Sequence, residues 1–222
     1  RGYWEGGTWV REVYDWDDMD QVFEKLDSAS MVNYGYVTVK LMENLELTSA
    51  DSDLYDGYFK RYIIPAGLNN VIFDFNGHTL SGTNVDSNSK NFIKMEVREG
   101  NHVTFTDSVG GGGITFDASY TSYNYTNLDI SALYIYTLGK RGEGYNTEDP
   151  NSYPAKVTFN GGTYKLIGEF TYIGNDSRLS APSSYIGTVI ADYVDVEING
   201  GTFIADNTSD EEDACELSAF GT

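Results

Sequence analysis

Two carboxylates stand where glycoside chemistry could be placed. Asp74 lies in VIFDFNGHTL and Asp107 in VTFTDS. Val71, Phe73 and Phe75 alternate on one face of a strand, so Asp74 is expected on the other, outward face. Asp107 follows Val103 and Phe105 and faces solvent if the chain has already turned there. Paired acids on neighbouring strands are what glycoside cleavage requires. The opposing reading makes both structural, with one capping the Asp107–Gly111 corner.

Other chemistry is thinner. His78 and His102 are the only histidines and Cys215 the only cysteine. Those three are a poor zinc set. His78, within NGHTL, reads as a corner residue bonded to backbone, and Cys215 as a buried thiol in a late strand. One cysteine excludes an internal disulfide framework. Gly110–Gly113 lack the Lys-Ser/Thr and the helix of a phosphate loop. The acidic runs DWDDMD and DNTSDEEDA could hold calcium, the one cofactor to consider, but neither has EF-hand spacing. Helix capping accounts for the first and a solvated loop for the second. The metal question stays open.

Aromatic residues are more suggestive. The chain has 18 tyrosines among 222 residues. Tyr120, Tyr123 and Tyr125 lie in ASYTSYNYTN, and Tyr145 and Tyr153 in EGYNTEDPNSYP. Alternating strands already fill a core, so these loop tyrosines are expected in solvent, where they stack on sugars or anchor a protein partner. The alternative folds them back onto the strand flanks. A formal charge of −20 argues against nucleic acid and anionic membrane as partners. No apolar run approaches the roughly 20 residues that cross a bilayer. The start, RGYWEGG, has no initiator methionine and reads as a processed or trimmed piece. Sequons occur at Asn124, Asn175 and Asn207.

The elements that must position these residues are mostly short strands. Trp9–Tyr14 reads as a short extended stretch. Asp17 or Asp18 then caps a helix over about 17–28, with Met19, Val22, Phe23 and Leu26 on one stripe. Afterwards the period is two. Val37, Val39 and Leu41 alternate, as do Leu45 and Leu47, then Ile93, Met95 and Val97. Turns of Asn, Gly, Asp and Ser separate the strands.

One phrase is written twice, VTFNGGTYKL from Val157 and VEINGGTFIA from Val196. Weaker versions begin at Phe73 and Val103. A constant element at variable spacing describes a fixed rung with loops of changing length. Asn76-Gly77, Asn160-Gly161-Gly162 and Asn199-Gly200-Gly201 are its corners, where left-handed backbone costs little. Stacked coils follow, because one coil cannot bury its own interior. A sandwich uses similar strands but gives no reason for a repeated corner.

The leading WDDMDQVFEKL, the strand VTVKLMENLELT, IIPAGLNNVIFDFNGHTLSG, NHVTFTDSVGGGGITF and the two NGGT rungs together resemble right-handed parallel β-helix (pectate-lyase-like) domains. Such domains belong to large surface and secreted bacterial proteins, especially of gut bacteria. The resemblance implies an all-β solenoid with an N-terminal capping helix. It gives a single domain over 1–222, with a cap at 1–30 and stacked coils from 31 to 222. Coils of roughly 20 to 25 residues imply about seven to nine of them, fewer if loops are long. No C-terminal cap is evident, so the coils are expected to continue. Lyases of this kind use calcium-binding carboxylates and a basic residue. The available bases are Lys94, Arg98, Lys140, Arg141, Lys156, Lys165 and Arg178, none in a lyase motif.

The expectation is therefore a non-enzymatic extracellular or cell-surface bacterial module. It would bind polysaccharide or a host or cell-surface protein, or act as a spacer, without entering a membrane. The alternatives are a polysaccharide lyase or glycoside hydrolase on the same fold, and a self-assembling repeat. An enzyme should show an open groove lined by carboxylates, with Lys or Arg for a lyase. An adhesive module should show scattered charges and an exposed aromatic patch.

Overall fold

The computed structural model describes residues 1–26, 35–51, 57–65, 68, 70–85, 91–98, 100–119, 130–137, 155–170, 186–210 and 217–221. The chain opens with β1 (Gly2–Glu5), β2 (Thr8–Val13) and α1 (Trp16–Leu26). Five three-stranded coils follow among the described residues. The first is β3 (Tyr36–Leu41), β4 (Leu45–Thr48) and β5 (Tyr58–Ile64). The second is β6 (Asn70–Asp74), β7 (Thr79–Thr83) and β8 (Asn91–Val97), and the third β9 (His102–Thr106), β10 (Gly113–Asp117) and β11 (Ser131–Tyr136). The fourth is β12 (Lys156–Phe159), β13 (Thr163–Gly168) and β14 (Gly187–Asp192), and the fifth β15 (Asp195–Ile198), β16 (Thr202–Asn207) and β17 (Ser218–Gly221).

Equivalent strands pair in parallel and build three sheets. Sheet A runs β1-β2-β3-β6-β9-β12-β15, sheet B β16-β13-β10-β7-β4, and sheet C β17-β14-β11-β8-β5. The fold is a right-handed parallel β-helix with a helical cap, the hand that parallel crossovers take almost without exception. The coil number falls below seven because the connections from sheet B to sheet C are long, as is one from sheet C to sheet A, 137–155. Those between sheets A and B stay short.

The stacking that the repeated phrase implies is visible in the register. Val71, Val103, Val157 and Val196 occupy one row, and Phe73, Phe105, Phe159 and Ile198 another. Phe105 and Phe159 stack at 5.4 Å and 12°, Tyr164 and Phe203 at 5.0 Å and 10°. Such pairs add about 0.5–1.5 kcal/mol to the roughly 1.5–3 kcal/mol of burying each large side chain. Burial pushes the Tyr164 phenol well above its ordinary pKa, with the Asp107 charge adding to the effect. Its hydroxyl donates to Gly161 O, 3.0 Å.

The A-to-B corners use glycine in two ways. At the first full corner Asn76 (φ 51°) and Gly77 (φ 80°) both take left-handed backbone. In each NGGT corner only the second glycine does, Gly162 at 92° and Gly201 at 108°. The first glycine answers to the neighbouring coil: a Cβ on Gly200 would lie 2.6 Å from Asn160 O. The asparagines continue the ladder between coils. Asn199 Nδ2 donates to Asn160 Oδ1 at 3.0 Å, and Asn76 Nδ2 to Leu41 O at 2.9 Å.

The cap differs from expectation at its start. Asp15, rather than Asp17 or Asp18, is the N-cap: its Oδ1 accepts the Asp18 N–H at 2.7 Å. Asp18 reaches back to the Tyr14 N–H at 3.1 Å. The helix spans Trp16–Leu26, and its stripe of Met19, Val22, Phe23 and Leu26 is buried. The extended stretch expected at Trp9–Tyr14 is β2, joined to an unforeseen β1 through Gly6 and Gly7, both at positive φ. That Gly-Gly pair is the signal for a tight hairpin turn. Phe23 stacks on Tyr62 at 4.3 Å, fastening α1 to β5. The Tyr62 hydroxyl and Lys60 Nζ both donate to Asp20.

Candidate functional site

Strand alternation sends one set of side chains into the coil and the other outward. On sheet C the outward set carries charge and aromatic rings. Arg61, Lys94 and Tyr134 share one row, and Glu96, Tyr136 and Asp192 the next. Lys94 Nζ lies 5.7, 5.4 and 5.1 Å from the ring centres of Tyr58, Tyr134 and Tyr136. Each distance is within cation–π range. Tyr134 and Tyr136 tilt at 45° with centres 5.6 Å apart.

Hydrogen bonds hold this face in place. Glu96 is buried at 3% exposure. Its oxygens accept from Arg61 at 2.9 Å and Arg98 at 3.2 Å, and from the Tyr136 hydroxyl at 3.4 Å. The Tyr134 hydroxyl donates to Asp192. Burial raises the Tyr136 pKa, with Arg61 opposing the rise, so the phenol stays a donor at neutral pH. Rings held by such bonds lose little further freedom when a ligand arrives.

The three longest connections are 118–130, 137–155 and 169–186. Each one enters or leaves β11 or β14, the strands bearing Tyr134, Tyr136 and Asp192. Tyr120, Tyr123 and Tyr125 belong to the first connection and Tyr145 and Tyr153 to the second. All five lie outside the described residues, as do Lys140, Arg141, Arg178, Cys215 and the sequons at Asn124 and Asn175. At the cap end, a groove of about 510 Å³ opens between α1 and β5. Its walls include Asp20, Glu24, Asp51, Tyr58, Lys60 and Arg61. Tyr58 and Arg61 belong to both groove and face.

Asp74 and Asp107 sit elsewhere, at the A-to-B corners. Asp74 is 6% exposed rather than standing in solvent. Its Oδ1 accepts the N–H groups of Asn76 (2.9 Å) and Ser108 (3.0 Å), and its Oδ2 the Ser108 hydroxyl (2.7 Å). Asp107 spans two coils, taking the Gly77 N–H on Oδ1 and the Gly112 N–H on Oδ2, each at 2.7 Å. All four oxygens serve the corner. His78 takes part through its backbone, its N–H donating to Phe75 O and its carbonyl accepting from Gly113.

The remaining candidates are dispersed. His102 is on sheet A, its Nε2 2.7 Å from Thr158 Oγ1. Lys156 pairs with Glu197 on the same sheet, and Lys165 with Asp206 on sheet B. Among the described residues no group of three or more His, Cys, Asp or Glu could hold a metal ion. No helix among them is long and apolar enough to cross a membrane. At the third sequon, Asn207 donates from Nδ2 to Phe170 O and accepts the Phe170 N–H, so its amide is part of the coil.

Strand alternation could have found the outward face. Lys94-Met95-Glu96 and Tyr134-Ile135-Tyr136 each flank an inward apolar residue. Taken singly in the sequence, Lys94 and Arg98 are isolated bases and Tyr134 and Tyr136 belong to no motif.

Comparison with family models, curated proteins and solved structures finds no match for this chain. Its own topology places it among the right-handed parallel β-helices, an architecture that enzymes and adhesins share.

Proposed function

We propose that this chain is a non-enzymatic module of the bacterial surface or exterior that binds glycan through the outer face of sheet C. The observation that carries the reading is Lys94 set among Tyr58, Tyr134 and Tyr136. Aromatic faces stack on the apolar faces of sugar rings. Lys94, Arg61 and Arg98 bring donors and positive charge into a chain of net charge −20, which suits hydroxyl-rich or acidic sugars. Asp74 and Asp107 act as corner braces in this reading. The test is binding to immobilised polygalacturonate, arabinoxylan and mucin O-glycans. Wild-type protein should bind at least one. A Tyr134→Ala/Tyr136→Ala double variant should lose at least about tenfold in affinity with its circular dichroism unchanged. Failure to bind any of the three overturns the reading.

One observation favours the enzymatic alternative. Glu96 and Asp192 share a row two strands apart, so their Cα atoms stand roughly 9.5 Å apart. Two acids on one row of a sheet are the kind of pair that glycoside cleavage uses. Release of shortened oligosaccharides from the same panel, abolished by Asp192→Asn, would establish catalysis in place of simple binding.

A further inference from the structure

Three Asn-Gly pairs occur in the chain, Asn76-Gly77, Asn160-Gly161 and Asn199-Gly200. In such a pair the glycine backbone nitrogen can close on the asparagine side chain, because no Cβ on the glycine obstructs it. Alike in sequence, the three are treated differently by the fold.

The attacking nitrogen must shed its proton, so any hydrogen bond that it donates has to break first. The Gly77 N–H donates to Asp107 Oδ1 at 2.7 Å, and the Gly200 N–H to Phe159 O at 3.1 Å. Among the described residues the Gly161 N–H has no acceptor. The side chains differ in the same sense. Asn76 Nδ2 donates to Leu41 O at 2.9 Å, and Asn199 Nδ2 to Glu197 Oε1 and Asn160 Oδ1 at 3.0 Å each. Asn160 Nδ2 has no acceptor among the described residues. Asn160 Oδ1 accepts from Asn199, which polarises the carbonyl carbon toward attack. Asn160 is also exposed.

We propose that Asn160 is a site of spontaneous deamidation, selected by the fold over Asn76 and Asn199. Gly161 N gives its proton to hydroxide and bonds to Asn160 Cγ. The Cγ–Nδ2 bond breaks, and ammonia leaves with a proton taken from water, which restores the hydroxide. Water then opens the resulting succinimide at either carbonyl. One product is aspartate, which keeps an oxygen for Asn199. The other is isoaspartate, whose backbone runs through the former side chain and is longer by a methylene. That extra carbon enters the corner where a Cβ on Gly200 would already lie 2.6 Å from Asn160 O. Isoaspartate at this position therefore loosens the seating of the fifth coil on the fourth.

The experiment holds wild type and Asn160→Gln in mildly alkaline buffer, both native and in guanidinium chloride. Peptide mapping by mass spectrometry scores each Asn-Gly pair for aspartate and isoaspartate. In native wild type, Asn160 should convert at least about tenfold faster than Asn76 or Asn199, the rate factor of one ordinary hydrogen bond that must break. In guanidinium chloride the three should convert at comparable rates. As isoaspartate accumulates, the melting temperature of wild type should fall by roughly 2–4 °C. That of Asn160→Gln, whose longer side chain closes the ring far more slowly, should hold.

Two results overturn the assignment. One is native conversion at Asn76 or Asn199 as fast as at Asn160. The other is an intact Asn160 in the native protein over a period in which guanidinium chloride converts it. An unchanged melting temperature in protein rich in isoaspartate would overturn the loosening of the fifth coil.

Discussion

The A-to-B corner and the outer face of sheet C are two sides of the same coils, built on opposite rules. At the corner, polar side chains turn toward backbone. Asp74, Asp107 and Asn76 spend their atoms on neighbouring turns, and the connections are short. On sheet C, polar side chains turn toward one another across strands, and the longest connections start and end beside them. A side chain that holds backbone cannot leave it for a ligand. One that pairs with another side chain can. The difference separates residues that set coil register from residues that can meet a partner.

The largest break in this contrast comes from adding one carbon to the corner. A Cβ on Gly113 would lie 1.8 Å from Thr163 O, and one on Gly200 2.6 Å from Asn160 O. Both obstacles are backbone of the adjacent coil and cannot rotate away. Gly113→Ala should cost more than about 3 kcal/mol, read as a fall in the urea midpoint, with Gly200→Ala close behind. Matching substitutions of outward sheet C residues should not approach these values.

Next is Asp107→Ala. It leaves the Gly77 and Gly112 N–H groups without their acceptor, where hydrogen bonds to a charged group each contribute about 1.5–3 kcal/mol. A loss of about 3 kcal/mol is expected, with no effect on glycan binding when measured well below the melting temperature. Unchanged stability would show that Asp107 does not brace the corner and return it to the list of candidate acids.

Glu96→Gln probes the other side and should be smaller. Glu96 is buried, but the side chains of Arg61 and Arg98 are 37% and 45% exposed, so water screens both pairs. The expected cost is about 1 kcal/mol, shrinking as salt is raised. Glycan affinity should fall more than stability does, because Tyr136 loses a charged partner. A cost as large as that of Asp107→Ala would mean that the face is part of the scaffold.

These contrasts also explain what the sequence could reveal. Period-two alternation and the repeated NGGT phrase carry the solenoid, because inward Val157 and Phe159 recur as Val196 and Ile198 in register. The double role of the corner glycines is hidden. Gly162 answers to its own backbone torsion, but Gly200 answers to Asn160, 40 residues earlier in the chain. The site is hidden for the same reason. Arg61, Lys94, Tyr134 and Asp192 meet only once the lengths of the intervening loops have been absorbed, and no local pattern records that meeting. Asp74 misleads in a related way: alternation sets it opposite the inward apolar side chains but cannot show that Ser108 of the next coil encloses it.

The smallest effect belongs to His102 and follows pH. Burial lowers its pKa from the ordinary 6.5, and Lys156, its neighbour in register, lowers it further against a weaker opposing pull from Glu197. The neutral ring is therefore favoured in the folded coil, while the unfolded chain takes up its proton near pH 6.5. Between those two pKa values the unfolded state holds more protons, so stability rises with pH. The contribution is complete above pH 6.5 and is lost as pH falls from there toward the folded pKa. Glu197, held below 4.5 chiefly by its bond from Lys156, acts in a lower window, as pH falls from about 4.5 through its depressed pKa. His102→Gln keeps a polar partner for Thr158 but has nothing to titrate. Urea midpoints measured between about pH 7 and pH 5 should decline for wild type and decline less for His102→Gln. Parallel slopes would mean that His102 does not carry the acid sensitivity of sheet A. On sheet C, with Lys94 and Arg61 charged throughout this range, binding should not follow the His102 titration.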